Sequence, residues 1–193
     1  MRKLIVKTAL ISLAAAIGAV ALGCLCGVLF FPSFASNACY DMGMYGTSAS
    51  LAERAYNASG EDEDLSVLVE RGILAEDYAL VAEYGARLIE TEYFKNTLKN
   101  EGYSGNYKGY IVGNVAVSEY CCGNGERALE LALSALDSYL PYNSVQHLIY
   151  KAMLSGDKPF ASQIKASLEQ LEFPAEQQKL LNDDIALLAN FIA

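Results

Sequence analysis

The chain has 193 residues, 53% of them hydrophobic and only 19% charged, with 23 acidic side chains against 14 basic ones. That length holds one domain of ordinary size plus whatever the N-terminus adds. A formal charge of −9 repels phosphate backbones and so speaks against nucleic-acid binding.

The N-terminal run "MRKLIVKTALISLAAAIGAVALGCLCGVLFFPSF" carries Arg2, Lys3 and Lys7 and is then uncharged from Thr8 to Phe31. At about 1.5 Å of rise per residue it is long enough for a hydrocarbon core of about 30 Å, and Pro32 ends it. A cleaved signal peptide has an apolar core of roughly 7–15 residues, so the length favours an uncleaved transmembrane signal-anchor. Small-residue cleavage sites at 33–35 and 36–38, and a lipobox-like "ALGC" ending at Cys24, leave secretion or lipid anchoring as alternatives. Basic residues ahead of a span keep the N-terminus cytoplasmic. The expected plan is a cytoplasmic N-terminus at 1–7, a span at 8–31 in the cell membrane, a linker at 32–36 and an extracytoplasmic domain at 37–193. Ala15, Ala19, Gly23 and Gly27 repeat every four residues, a small-residue face that suits helix packing in a bilayer and a homodimer. The Ala and Gly richness of signal-like segments explains the same stripe equally well. Without Arg2, Lys3 and Lys7 the domain keeps 11 basic residues against all 23 acidic ones, a balance of −12, for which solubility is the simplest reason.

Beyond Pro32, apolar and small residues recur at steps of three and four, the helical period. "ASLAERAYNASG" is one such segment, stopped by Gly60. "EDEDLSVLVERGILAED" starts with acidic residues, which suit the positive end of a helix dipole. "DYALVAEYGARLIETEYFKNTLKN" follows, with a bend or break near Glu92. "NYKGYIVGNVAVSEY", "ERALELALSALDSYL", "NSVQHLIYKAML", "KPFASQIKASLEQL" and "PAEQQKLLNDDIALLANFI" complete the set. Strand signals are scarce, and the domain is expected to be all-α, with about eight or nine helices after the first.

Ala116, Gly123, Ala128 and Ala135 follow one another at seven, five and seven residues, Leu129 and Leu136 each follow an alanine, and Pro141 closes the second helix. Over residues 109–141 this resembles the tetratricopeptide pattern, in which small residues let paired helices approach closely and a glycine ends the first of them. Val112 and Ala132 stand where that family commonly has large rings, and Tyr120 is one place off. Gly43, Ala52, Ala55 and Tyr56 fit a partial copy, and Tyr84 with Leu88 sits in a third. Extra sequence near 92–108 makes the interval uneven. The resemblance implies an irregular TPR-like α-solenoid of antiparallel helix hairpins, capped by the last helix. It also implies a protein-interaction role, as a scaffold or adaptor for a protein or peptide partner, with no catalytic activity.

The candidate chemistry is sparse. Cys24 and Cys26 lie inside the apolar run and act there as small apolar residues. Cys39 joined to Cys121 or Cys122 is a candidate disulfide if packing brings the Cα atoms within about 7 Å; buried free thiols are the equal alternative. There is no C-x-x-C and only one imidazole, His147, so no metal or cofactor is expected. Neither G-x-S-x-G nor H-E-x-x-H nor a phosphate loop accompanies His147. "EDED" at 61–64 lacks the glycine and distal glutamate of a calcium loop. The most unusual soluble stretch is "TEYFKNTLKNEGYSGNYKGY" at 91–110. Its Tyr93, Tyr103, Tyr107 and Tyr110 stand on a Gly/Ser/Asn frame, the composition of many recognition loops; rings filling an interhelical groove would look the same. A peptide- or glycan-binding domain using this segment, and a thiol-disulfide oxidoreductase using Cys121 and Cys122, are the rival functions.

Overall fold

The structure is a computed structural model. It describes the backbone of residues 2–97, 105–136, 139 and 144–193, and their side chains apart from those of 2–11, 20, 21, 24, 25, 97, 105 and 106. Among the described residues the secondary structure is helical, without a strand: α1 (Arg2–Phe30), α2 (Pro32–Asp41), α3 (Tyr45–Ser59), α4 (Asp62–Leu74), α5 (Tyr78–Glu90), a π-helical turn (Tyr93–Thr97), α6 (Gly105–Cys121), α7 (Gly125–Ser134), α8 (Ser144–Leu154), α9 (Lys158–Leu168) and α10 (Ala175–Ile192). Pro32 occupies the first turn of α2, where its missing amide costs nothing, so the stretch expected as a linker at 32–36 is helical.

Among the described residues no helix is long and apolar enough to cross a membrane. The expected transmembrane signal-anchor at 8–31 is corrected accordingly, and the single-pass placement built on it falls with it. Ala15 and Ala19 are exposed, and a Cβ added at Gly23 or Gly27 would meet no described atom within 4 Å.

From α2 onward, helices pack against their chain neighbours: α2 on α3, α3 on α4, α4 on α5, α5 on α6, α6 on α7, α7 on α8, α8 on α9 and α9 on α10, with α6 also against α8. Four of the joints are built alike. At Gly43, Glu76, Gly123 and Gly156 the backbone enters the left-handed region, with φ of 73°, 54°, 88° and 69°. At each, that residue's N–H donates to the carbonyl three residues back, and the next N–H donates to the carbonyl five back: Gly43 to Tyr40 and Met44 to Cys39, Glu76 to Ile73 and Asp77 to Gly72, Gly123 to Tyr120 and Asn124 to Glu119, Gly156 to Met153 and Asp157 to Ala152. This double bond is the Schellman motif, which satisfies carbonyls that a helix end would leave orphaned. The next helix begins two residues past the corner each time, at Tyr45, Tyr78, Gly125 and Lys158. Thirty-three residues separate Gly43 from Glu76, 47 separate Glu76 from Gly123, and 33 again separate Gly123 from Gly156.

Packing repeats with the corners. Seven residues before and five after them stand Ser36 and Ser48, Val69 and Val81, Ala116 and Ala128, Ile149 and Ala161, all buried. In the first hairpin the place is filled by a reciprocal pair: Ser36 Oγ donates to the Ser48 carbonyl at 2.9 Å and Ser48 Oγ to the Ser36 carbonyl at 2.8 Å. Two buried hydroxyls are thereby satisfied inside a helix contact. The core forms two clusters. One runs through α3 to α6 around Leu68, Leu88, Ile111 and Val115; the other runs from α6 to α10 around Leu148, Ile164, Leu181 and Leu188. The extra residues between the second and third corners include the π-helical turn, pinned into the first cluster by Phe94, which is 1% exposed.

Candidate functional site

The four corners lie side by side along one edge. Arg71 of α4 stacks its guanidinium on the Tyr40 ring of α2, 3.5 Å from the centroid, and donates to Asn37 at 3.2 Å, which ties the first corner to the second. A cleft of about 640 Å³ joins the other three; Tyr78, Tyr120, Cys121, Ser155, Asp157 and Phe160 form most of its walls. Tyr120 stacks on Phe160 with centroids 4.7 Å apart and donates its hydroxyl to Asp157 at 2.9 Å. Asp157 uses its other oxygen to cap α9, accepting from the Phe160 amide at 3.0 Å. Burial first, and then the hydrogen bond to Asp157, push the Tyr120 phenol up. Lys151 of α8 donates to the Tyr78 hydroxyl at 3.1 Å and lies 4.7 Å from that ring's centroid; this bond raises the ammonium's pKa above its ordinary value. Burial pushes the Cys121 thiol up, while Lys151 acts in the opposite sense.

The edge is also where the domain shows apolar surface. From Pro32 onward, the large hydrophobic side chains exposed among the described residues are Phe34, Tyr40, Met42, Met44, Tyr45, Leu74, Tyr150 and Leu154. All but Phe34 lie at a corner: six or fewer residues before its left-handed residue, or within two after it. Leu154 is 85% exposed, Met42 64% and Tyr150 53%. Scattered single apolar residues need no explanation; these seven gather at the corners. These residues escaped the sequence reading because the helical period marks core positions only. The signal for three of them is an apolar residue within two places of a corner glycine, as Met42 and Met44 in "MGM" and Leu154 in "MLSG".

The residues singled out from sequence are dispersed. Tyr93, Tyr107 and Tyr110 are half-buried and pack against the first core cluster; Tyr103 lies outside the described residues. Tyr107 donates to Glu70 of α4. Tyr110 meets the edge of His147 with centroids 5.8 Å apart, and its phenol is pushed up by burial first and then by Glu70. His147 packs on Gly113, where an added Cβ would stand 2.9 Å from its Cδ2; burial lowers its pKa. Cys39 is buried at the end of α2, Cys121 and Cys122 are exposed at the end of α6, and all three are free thiols. Among the described residues no group of three or more His, Cys, Asp or Glu is placed to hold a metal ion.

No family model, curated protein or solved structure matches this chain.

Proposed function

We propose that this chain is a tetratricopeptide-like helical-repeat module that binds a protein partner and performs no chemistry of its own. The observation that supports this reading is the recurrence of one corner: four Schellman turns, each flanked by buried residues seven places before and five after, at intervals of 33, 47 and 33 residues. Stacked hairpins of this kind present long continuous surfaces to peptides and helices. Architecture alone assigns no activity, so the binding surface is argued from exposure: the apolar side chains gather on the corner edge.

Photo-cross-linking tests it. A photoreactive residue is placed in the full chain at Met42, at Leu154 or, as a control on the face of α3, at the exposed Arg54, and irradiated in the producing cells. The expected result is a discrete cross-linked species from Met42 and Leu154 and none from Arg54. The same species is expected when Cys121 and Cys122 are both changed to serine. Absence of any cross-link from both edge positions overturns the binding reading. Loss of the species with the two serines alone transfers the function to thiol chemistry.

A further inference from the structure

We infer that the corner edge docks a basic amphipathic helix of another protein; this inference rests on the binding-module reading and specifies its partner. Apolar contact is supplied along the whole edge, by Tyr40, Met42, Met44 and Tyr45 at the first corner, Leu74 at the second and Tyr150 with Leu154 at the fourth. The third corner contributes the cleft between Tyr78, Tyr120 and Phe160. Packed helices are spaced by roughly 8–10 Å, so four corners side by side span about 30 Å. A helix of about 18–20 residues covers that length, with one apolar face turned to the edge as in other helix-in-groove complexes.

Charge selects the sign of the polar face. The edge carries Asp41, Glu76 and Asp77, all exposed, and Asp157 in the cleft wall. Its cations are Arg71, stacked on Tyr40, Lys151, which donates to Tyr78, and Lys158, which donates to the Ile192 carbonyl at 3.1 Å. The four carboxylates outnumber these three cations, within a domain whose own balance is strongly negative. Lys and Arg on the rim of the incoming helix complement this field, and a helix bearing Asp or Glu there is repelled.

The test uses the full chain and three synthetic 18-residue peptides read by fluorescence anisotropy: an amphipathic Leu/Lys helix, the same peptide with Glu for Lys, and a Leu/Lys peptide of equal composition scrambled to abolish the apolar face. Saturable binding of the first alone is expected. Changing Met42, Leu74 and Leu154 together to serine weakens it about tenfold or more, because three anchors on one face are removed. These residues are exposed, so circular dichroism should be unchanged. Asp41→Asn with Glu76→Gln, which leaves the apolar strip intact, weakens it several-fold and flattens its salt dependence. Equal binding of the Glu peptide, affinity unchanged in both variants, or no saturable binding at all overturns the inference. If cross-links form from Met42 and Leu154 while the Leu/Lys peptide fails to bind, the binding module stands and only its partner class is wrong.

Discussion

Asp184 of α10 is 7% exposed and holds two donors: the Tyr139 hydroxyl at 2.5 Å and the Gln146 amide at 2.7 Å, both to Oδ2. Tyr139 is itself fully buried, and burial together with Asp184 raises its pKa far above the ordinary phenol value. Removing a partner from a buried donor costs the desolvation of the group left behind, about 1–3 kcal/mol. Asp184→Ala is therefore expected to lower the urea-unfolding free energy by about 2–3 kcal/mol. Tyr139→Phe removes the donor instead and is expected to cost less, since Gln146 still satisfies the carboxylate. Urea titrations of the two variants in parallel check the ordering; equal losses would mean that the phenol bond carries the whole contribution of Asp184 and Gln146 none of it. His147 makes a different claim. Its folded-state pKa lies below the free value, so the unfolded chain binds the proton more readily. Stability supplied by neutral His147 is complete above about pH 6.5 and is lost as pH falls below it. His147→Phe should flatten the decline of thermal midpoint in that acid window, and an unchanged decline assigns it to the carboxylates.

Three of the four corners use glycine, and Glu76 is the exception, held at φ 54°. A side chain in the left-handed region costs roughly 1–2 kcal/mol, part of which glycine returns as extra freedom of the unfolded chain. Glu76→Gly is accordingly expected to raise stability by about 0.5–1 kcal/mol, and Gly156→Ala, at φ 69° with no steric obstruction, to lower it by about 1 kcal/mol. Opposite signs in denaturant melts of the two variants are the check. This corner also explains what the sequence concealed. Gly123 with Ala116, Ala128 and Ala135 announces a helix hairpin because three small residues and a glycine fall in register. At the second corner, Glu76 stands in the glycine's place and valines stand in the alanines', so only the backbone shows the corner. The extra residues before α6 then break the 33-residue interval, and a periodic search loses its phase. Helix ends were legible wherever a glycine or an acidic first turn marks them, as at Gly60 and at Asp62–Asp64. The exposed apolar edge was not, because the helical period marks core positions only, and the one signal beside a glycine is missing at the second corner, where Glu76 replaces it.

Hairpins that pack mainly on their neighbours, with Lys151 of α8 also reaching Tyr78 of α5, make stability nearly a sum over units and junctions, so a whole unit is removable if the junction it leaves is equivalent to those it replaces. Deleting residues 44–76 joins Gly43 to Asp77, which places the second half of one corner directly on the first half of another. The fused turn keeps glycine at the left-handed position and an aspartate that caps the next helix, as Asp77 does through the Leu80 amide at 3.1 Å. It loses the Arg71 contact to Tyr40 and the Tyr84 hydrogen bond to Glu53, and it leaves the second core cluster untouched. The shortened chain is expected to retain helical circular dichroism per residue and one cooperative transition, at lower stability and with a smaller denaturant dependence that reflects the missing buried surface. Deleting residues 52–84 removes the same length but joins the middle of α3 to the middle of α5 without a corner, and it takes both Val69 and Val81 out of the core. If the two deletions behave alike, the corners are not unit boundaries and the additive picture fails. If only the corner-to-corner deletion folds, length is not what the domain counts, and the stretch from one corner to the next is a separable folding element.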